Sequence, residues 1–471
     1  MGALAPLRYL NWVGPFETTL TYDVAIFYCG ARQIGNADPY EVEPLATCER
    51  STSPILFSDG AIAPAPQPAY VLVGLKALSW LSEERFAFTW IVVLIGLAMA
   101  SAGFLSRLTG FPAIGIFLGT ILGSGYENLS SGQLSMLVLL GIAGAAYALR
   151  KGRPRVAAGM AVLTFTEPHI ALPVVFALLV LEPRARVPLF IACAAALAVM
   201  LAVTGPTLTL EYFTRVLPLQ ALAEARHPDQ YSLTLLAAAA GASDTIAVRL
   251  GEVQYALFSL AAVFFAKRLR DRYGDASFVV AIPAAAAVIG GPFIHYSELI
   301  ALWPAALLLA SKARGKNAIA AAVAIALAGY PWRSVVPHWL RLGIIVVYVF
   351  FAWSMTAKLE RRVRVLACSA IALPVVLAGL LKERIPQIPI VTIPQRLPEY
   401  VAAVARQHDL APVPWGMFLR QTHHVLTLRE IATKLPTLAV IGVLIYFAVA
   451  LARPLNRLAQ PQIAKDWTNS G

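Results

Sequence analysis

One carboxylate stands apart near the start of this chain. Asp23 lies in TYDVAIFYCGARQIGNADPYE (Thr21–Glu41), an acidic, aromatic stretch ahead of the first long apolar run. Tyr22, Tyr28 and an Asp38-Pro39-Tyr40 turn surround it in sequence. A positioned carboxylate can take the proton of a poor nucleophile such as a hydroxyl, an effect typically worth ~10²–10⁴-fold in rate. The bland alternatives are a helix N-cap for Asp23 and a simple turn for Asp38-Pro39-Tyr40. Further ionisable residues recur in short polar turns between apolar runs. These are Tyr126-Glu127-Asn128 up to Gln133, Glu167-Pro168-His169, Arg226-His227-Pro228-Asp229-Gln230, and His295-Tyr296 at the end of GGPFIHY. Such groups are costly at membrane depth unless they pair, cap helices or face a polar cavity. Imidazoles are readily tuned and guanidiniums match phosphate geometry. His295 therefore suits orienting a base or meeting a phosphate, and Arg226 suits a phosphate.

The elements that must position these residues are membrane helices. Of 471 residues, 58% are hydrophobic and 14% charged, and the mean hydropathy is +0.68. A soluble domain could not bury that much apolar surface, so an all-α polytopic membrane protein is expected. The formal charge of +12 sits in short clusters between apolar runs, the mark of cytoplasmic loops and not of a nucleic-acid face. Met1–Leu20 has no signal-peptide pattern. Tyr70–Leu81 is short and carries Lys76, which suits a helix lying in the membrane interface. Phe86–Leu105 is the first clean span. Runs follow at Pro112–Gly123, Leu134–Leu149, Val156–Thr166, Ile170–Leu181 and Val187–Gly205. After a polar interval come Val253–Ala266, Ser277–Gly291, Glu298–Ala310, Asn317–Tyr330, Leu342–Ala357, Val365–Leu381 and Leu435–Ala452. That makes about 12–13 transmembrane helices. The chain divides into an outer N-terminal segment (1–85), a membrane core (86–381), a long outer loop (382–434) and a last span with its tail (435–471).

If each run crosses once, the basic clusters at Arg150–Arg155, Arg184–Arg186, Lys267–Arg272, Lys312–Lys316 and Lys358–Arg364 fall on one side. That side is cytoplasmic by the positive-inside rule. The polar turns then share the outer side with Asp23. The same parity leaves residue 1 outside unless a helix ahead of Asp23 crosses, and Met1–Phe16 supplies none. Several runs fall below the ~20 residues of a spanning helix. Short helices joined by polar turns are tolerated only where they are buried in protein or line a wet cavity. An outward-facing cavity is therefore expected beneath Asp23. Residues 382–434, with Pro386, Pro389, Pro394, Pro398 and an amphipathic piece at Tyr400–His408, suit a lid. Cys29 and Cys48 share the outer region, where a disulfide could form; Cys193 and Cys368 sit in apolar runs. His408, His423 and His424 lack carboxylate or thiolate companions, so no metal is expected. Arg333 and His338 make a weaker claim on the site, and Trp332 and Trp339 suit interfacial anchors.

Asp23-x4-Tyr28 followed by GARQIGNADPY resembles the first extracytoplasmic loop of glycosyltransferase family 87, membrane enzymes of the GT-C type. Gly132-Gln133-x-Ser135 resembles a turn of that family. So do Arg153–Thr166 with Glu167-Pro168-His169, then Asp229-Gln230-Tyr231-Ser232, then His295-Tyr296, in the family's order. Glu167 stands where the family has a lysine, Asp229 replaces an asparagine, and the family's helix ahead of the first loop is not found. The resemblance implies inverting transfer of one sugar, such as mannose or another hexose. The donor would be a polyprenyl-phosphate-linked sugar and the acceptor an outer-leaflet lipid or glycan, with no cofactor. It implies Asp23 as the general base. His295, Glu167, His169, Arg226, His227, Gln230, Tyr231, Tyr40 and Gln133 would be substrate contacts. A bacterial inner membrane is the expected location. A flippase of a lipid-linked glycan and an inactive GT-C-like subunit are the alternatives. A flippase should carry broken helices in both halves of the chain, whereas these turns gather in the first two thirds.

Overall fold

The structure is a computed structural model that describes residues 22–52, 61–65, 67–313, 338–357, 360–381, 384–399, 409–422 and 424–452, with 317, 321, 325, 401 and 403. Arg333, Trp332, His408 and His423, and most of the Tyr400–His408 piece, lie outside the described residues. Three short helices come first: α1 (Tyr22–Gln33), α2 (Val42–Thr52) and α3 (Ala69–Lys76). A Cys29–Cys48 disulfide joins α1 to α2. Glu49 is buried and accepts a hydrogen bond from the Ala63 amide at 3.1 Å. Val71, Leu72 and Leu75 of α3 are buried, the Lys76 ammonium bonds the Ile34 carbonyl, and Tyr28 Oη donates to the Leu81 carbonyl at 3.0 Å. The Tyr70–Leu81 stretch expected to lie in the membrane interface is thus packed under α1. Val71, Leu72 and Leu75 are covered by protein, while Trp80 is 79% exposed.

The long helices follow from clear start and stop chemistry. α4 (Glu83–Thr109) places Glu83 and Glu84 in its first turn, where the helix dipole favours anions, and ends at Gly110 in the left-handed conformation. At ~1.5 Å per residue it spans ~40 Å, enough to cross a bilayer. Short elements succeed it: α5 (Ala113–Leu122), α6 (Ser124–Ser131), α7 (Ser135–Arg150), α8 (Pro154–Ala161) with a 3-10 extension over Val162–Thr166, and α9 (Pro168–Leu181). α10 (Arg186–Glu211) kinks at Gly205, which has φ +74° and is followed by Pro206. It continues through a π turn (Tyr212–Val216) into α11 (Leu217–Glu224). The expected end at Gly205 is therefore a bend. Glycine accepts the positive φ, and the helical hydrogen bonding resumes beyond it.

Next come α12 (Leu233–Ala239), α13 (Asp244–Tyr273), α14 (Phe278–Gly290), a 3-10 turn (Tyr296–Leu302) and α15 (Trp303–Lys312). α16 (His338–Met355) and α17 (Arg361–Leu381) precede the late loop. That loop holds β1 (Pro389–Thr392), α18 (Pro412–Thr422) and β2 (Val425–Thr427), with β1 and β2 antiparallel. The last helix, α19 (Leu428–Ala452), starts ahead of the expected Leu435, so Lys434 belongs to it.

Among the described residues, four helices or continuous helical stretches are long and apolar enough to span a membrane: Glu83–Thr109, Pro183–Glu224, Asp244–Tyr273 and Leu428–Ala452. Five shorter apolar helices accompany them: Ala113–Leu122, Ser135–Arg150, Pro168–Leu181, Phe278–Gly290 and Leu342–Ser354. The chain is thus an all-α polytopic membrane protein with the short helices the sequence predicts. Val187, Phe190, Ile191, Val253, Leu257 and Leu260 point outward from α10 and α13 with more than half of each side chain exposed. Bare apolar rows of this kind suit lipid and would be unstable in water.

The ends of the helices sort into two layers. At one end Arg150 of α7 holds Asp275 through Nε at 3.1 Å and also bonds the Leu108 carbonyl of α4. Lys312 of α15 reaches Asp275 at 3.1 Å, and Arg270 of α13 bonds the Leu181 carbonyl of α9 at 3.1 Å. At the other end lie Gln133, Glu167, the C-terminus of α14 and the start of α19. The core between is small-residue packing: Gly141 of α7 faces the Met160 backbone of α8 so closely that a Cβ would lie 3.0 Å from its carbonyl oxygen.

The disulfide closes a loop in the N-terminal unit, so Cys29→Ser should cost about 2–4 kcal/mol. A lower unfolding temperature in detergent and loss of the reductant-dependent gel shift are expected. An unchanged unfolding temperature would show that the cross-link does not stabilise the fold.

Candidate active site

Asp23 sits in the first turn of α1, half-buried, and Gln133 Nε2 donates to its Oδ2 at 2.6 Å. Gln133 is placed by the turn between α6 and α7. Gly132 ends α6 with φ +79°, and the Gln133 amide returns to the Asn128 carbonyl at 2.9 Å. A Cβ on Gly132 would fall 2.2 Å from Val24 Cγ2, so a side chain here would push α1 away. Trp90 Nε1 donates to the Gly132 carbonyl at 2.7 Å and fixes the turn to α4. Burial pushes the Asp23 carboxyl up to about 7; the Gln133 hydrogen bond and His295 oppose this, and Glu224 adds to it.

Two imidazoles lie near this carboxylate, His295 in electrostatic range of it and His227 beside His295. His295 and His227 lie ring to ring at 5.6 Å, edge to face. His295 Nε2 is 3.7 Å from Glu224 Oε2, while Glu224 Oε1 accepts from Trp415 Nε1 at 2.8 Å and Gln220 Nε2 at 3.1 Å. His227 Nδ1 accepts the Asp229 amide at 3.2 Å, which makes Nε2 the proton-bearing nitrogen of a neutral ring. A second group adjoins the first. His169 Nε2 lies 3.2 Å from Glu298 Oε1, and Glu298 Oε2 accepts the His295 amide at 2.8 Å. Glu167 lies in the same group, with a carboxylate oxygen within 4.8 Å of the other two ligand atoms. Asp23, Gln133, His227, His295, Glu167 and His169 are therefore brought to one end of the helix layer, as their turns predict.

Four other expected contacts are framework residues. Tyr40 is fully buried, its hydroxyl spent on the Gln67 carbonyl at 3.1 Å and its ring against Tyr212. Arg226 Nε meets Asp244 at 2.6 Å, and its terminal nitrogens bond the Ala238 and Ala242 carbonyls at 3.1 and 3.0 Å. Gln230 is fully buried, its side chain taking the Ser232 hydroxyl at 3.0 Å and its carbonyl the Lys434 ammonium at 2.8 Å. Tyr231 is buried with the Lys434 ammonium 4.4 Å over its ring. Tyr40 and Arg226 thus have their polar groups bonded within the protein, whereas Gln230 Nε2 and Tyr231 Oη have no hydrogen-bond partner among the described residues. Asp38 starts its turn as expected, accepting the Tyr40 amide at 2.8 Å.

The residues missing from the sequence reading are Glu224, Glu298, Asp244 and Trp415. Glu298 had a signal: it lies three residues after His295 and closes a capping box with it. Glu224, three residues before His227, ends a helix that reads as part of a loop. The late loop seats on the first one. Ala411 N donates to the Tyr40 carbonyl at 2.9 Å, Val42 N to the Asp409 carbonyl at 3.0 Å, and Arg420 reaches Asp244. Its Trp415 then completes the site through Glu224.

Short helices whose polar turns converge on a carboxylate and two imidazoles mark the candidate site of this polytopic membrane protein. Residues 67–290, just under half of the chain, match the model of glycosyltransferase family 87, so this stretch is similar to that family. The matched stretch carries Gln133, Glu167, His169, Glu224 and His227; Asp23 and His295 flank it. No curated protein and no solved structure matches the chain.

Asp244 lies between two guanidiniums in a buried cluster, so Asp244→Asn should remove the negative charge that Arg226 and Arg420 share and cost roughly 3–5 kcal/mol. Denaturant unfolding of the purified protein measures this. A loss within about 0.5 kcal/mol, the range of a neutral surface change, would show that the cluster is not what anchors the late loop.

Proposed function

We infer that the protein transfers one hexose, plausibly mannose, from a polyprenyl-phosphate donor to a hydroxyl of an outer-leaflet lipid or glycan. The observation that carries this reading is the Asp23 carboxylate, held by Gln133 at 2.6 Å, with His295 in electrostatic range and a ring of polar turns around it. The acceptor oxygen attacks the anomeric carbon as its proton passes to Asp23. The bond from that carbon to the phosphate oxygen breaks, and polyprenyl phosphate leaves with the electron pair. A single displacement of this kind inverts the anomeric centre. Polyprenyl phosphate is a good leaving group, so one carboxylate suffices where glycoside hydrolysis uses two. His295 and the protonated nitrogen of His227 suit the donor phosphate. The disulfide in the N-terminal unit supports an oxidising, extracytoplasmic site such as the outer face of a bacterial inner membrane, and the basic helix ends of the opposite layer support a cytoplasmic face there.

Asp23 must be ionised to act as base. Its carboxyl titrates at about 7, so the transfer rate should rise as pH climbs through 7 and level off above it. Gln133→Ala removes the bond that favours the ionised form and should move that rise to higher pH. Asp23→Asn in proteoliposomes with polyprenyl-phosphate sugars should slow transfer by ~10²–10⁴-fold. A folded Asp23→Asn protein as fast as the wild type would remove Asp23 from the mechanism. Movement of intact lipid without sugar transfer would favour a flippase.

A further inference from the structure

Two clusters of His and Glu line this end of the molecule, and they differ in what they can hold. In Glu224–His227–His295, one Glu224 oxygen already takes two hydrogen bonds and His227 Nδ1 takes the Asp229 amide. The opposite nitrogen of His227 then bears a proton and has no lone pair for a cation. That group is built to donate and accept hydrogen bonds.

Glu167, His169 and Glu298 are arranged otherwise. One oxygen of Glu298 is fixed by the His295 amide at 2.8 Å, which leaves Oε1 to face His169 Nε2 at 3.2 Å. His169 Nε2 is buried without a well-aligned hydrogen bond among the described residues. The three ligand atoms of the cluster all lie within 4.8 Å of one another. A separation of 3.2 Å is about the edge between adjacent ligands bonded to one ion at ~2.0–2.2 Å. The charged groups acting on Glu167 are Glu298, His169 and His295, so two carboxylates are gathered with imidazoles and no Lys or Arg. Two carboxylates this close in a poorly hydrated turn repel unless a proton or a cation lies between them. The three residues are also rigidly set. Pro168 opens α9 beside Glu167, Tyr255 Oη bonds the His169 carbonyl, and Glu298 is locked in its capping box.

We propose that Glu167, His169 and Glu298 form a binding site for one divalent cation beside His295, the imidazole in electrostatic range of Asp23. Two carboxylate oxygens and one imidazole nitrogen suit Mn²⁺ or Zn²⁺ better than Mg²⁺, which prefers all-oxygen shells and retained waters. Three protein ligands leave coordination positions open to an anionic oxygen. The His295 amide ties the site to the imidazole beside Glu224. That the open positions serve the donor phosphate rests on the proposed transfer; the binding site itself does not. The expectation of no metal, drawn from the isolated late histidines, is revised by a cluster assembled from two distant turns.

The test uses the full-length protein in detergent, stripped with chelator and re-equilibrated with Mn²⁺ or Zn²⁺ without any sugar donor. Elemental analysis should find one equivalent of metal per chain, and pulsed electron paramagnetic resonance of the Mn²⁺ form should show nitrogen coupling from one imidazole. Glu167→Gln and His169→Gln should each weaken binding by about tenfold or more, His169→Gln should abolish the nitrogen coupling, and His227→Gln should retain the metal. Absence of stoichiometric metal in the wild type, or full retention in folded Glu167→Gln and His169→Gln, overturns the site. If a variant does not fold, the wild-type spectrum decides, and a lack of nitrogen coupling there is fatal. Normal sugar transfer by metal-free protein would leave the binding result intact and remove only its role in catalysis.

Discussion

Polar backbone and ionisable side chains at membrane depth must find partners inside the protein, because lipid offers none. The arrangement of this molecule follows from that constraint. Polar groups in the turns between the short helices are taken up within the protein: Gln133 by Asp23, the His295 amide by Glu298, the Tyr231 amide by the Ile294 carbonyl at 2.7 Å, and Asn128 Nδ2 by the Ser297 carbonyl at 2.8 Å. These bonds join segments more than a hundred residues apart in two of the four cases.

The late loop is held by the same rule. Its Arg420 shares Asp244 with Arg226, and its Trp415 shares Glu224 with Gln220. A buried guanidinium without a carboxylate would be strongly unfavourable, so the loop and the 226–244 segment are locked as one piece. Lys434 at the start of the last helix adds a further tie to Gln230 and Tyr231. The loop is thereby part of the wall of the site, with Gly416 close enough to Ala223 that a Cβ would lie 3.0 Å away. Arg226, expected to meet a phosphate, is consumed in this framework.

Asp23 illustrates how burial raises an ordinary carboxyl. In water such a group is ionised above ~4 and too weak a base to attract a hydroxyl proton strongly. Desolvation in the α1–α6 crevice raises it to about 7, while Gln133 keeps the ionised form accessible. The sign matters for stability as well: a raised carboxyl disfavours the fold progressively as pH climbs from its unfolded value toward 7. The disulfide and the packing of α3 beneath α1 offset that cost by holding the N-terminal unit in place.

The sequence by itself determined the membrane class, the short-helix pairs, the gathering of the polar turns at one end of the helices and the prominence of Asp23, because hydropathy, charge clusters and helix length are local properties of the chain. It also marked Gln133, Glu167, His169, His227 and His295, since ionisable or amide groups between apolar runs are conspicuous. Glu224, Asp244, Glu298 and Trp415 were not legible as site residues, and Tyr40, Arg226, Gln230 and Tyr231 were read as substrate contacts. What distinguishes these two sets is which partner each polar atom has already found. That depends on contacts across the whole chain, such as Trp415 with Glu224 or Lys434 with Gln230, and only the tertiary structure decides them, because hydrogen-bonding capacity used up by a distant residue leaves no trace in local spacing.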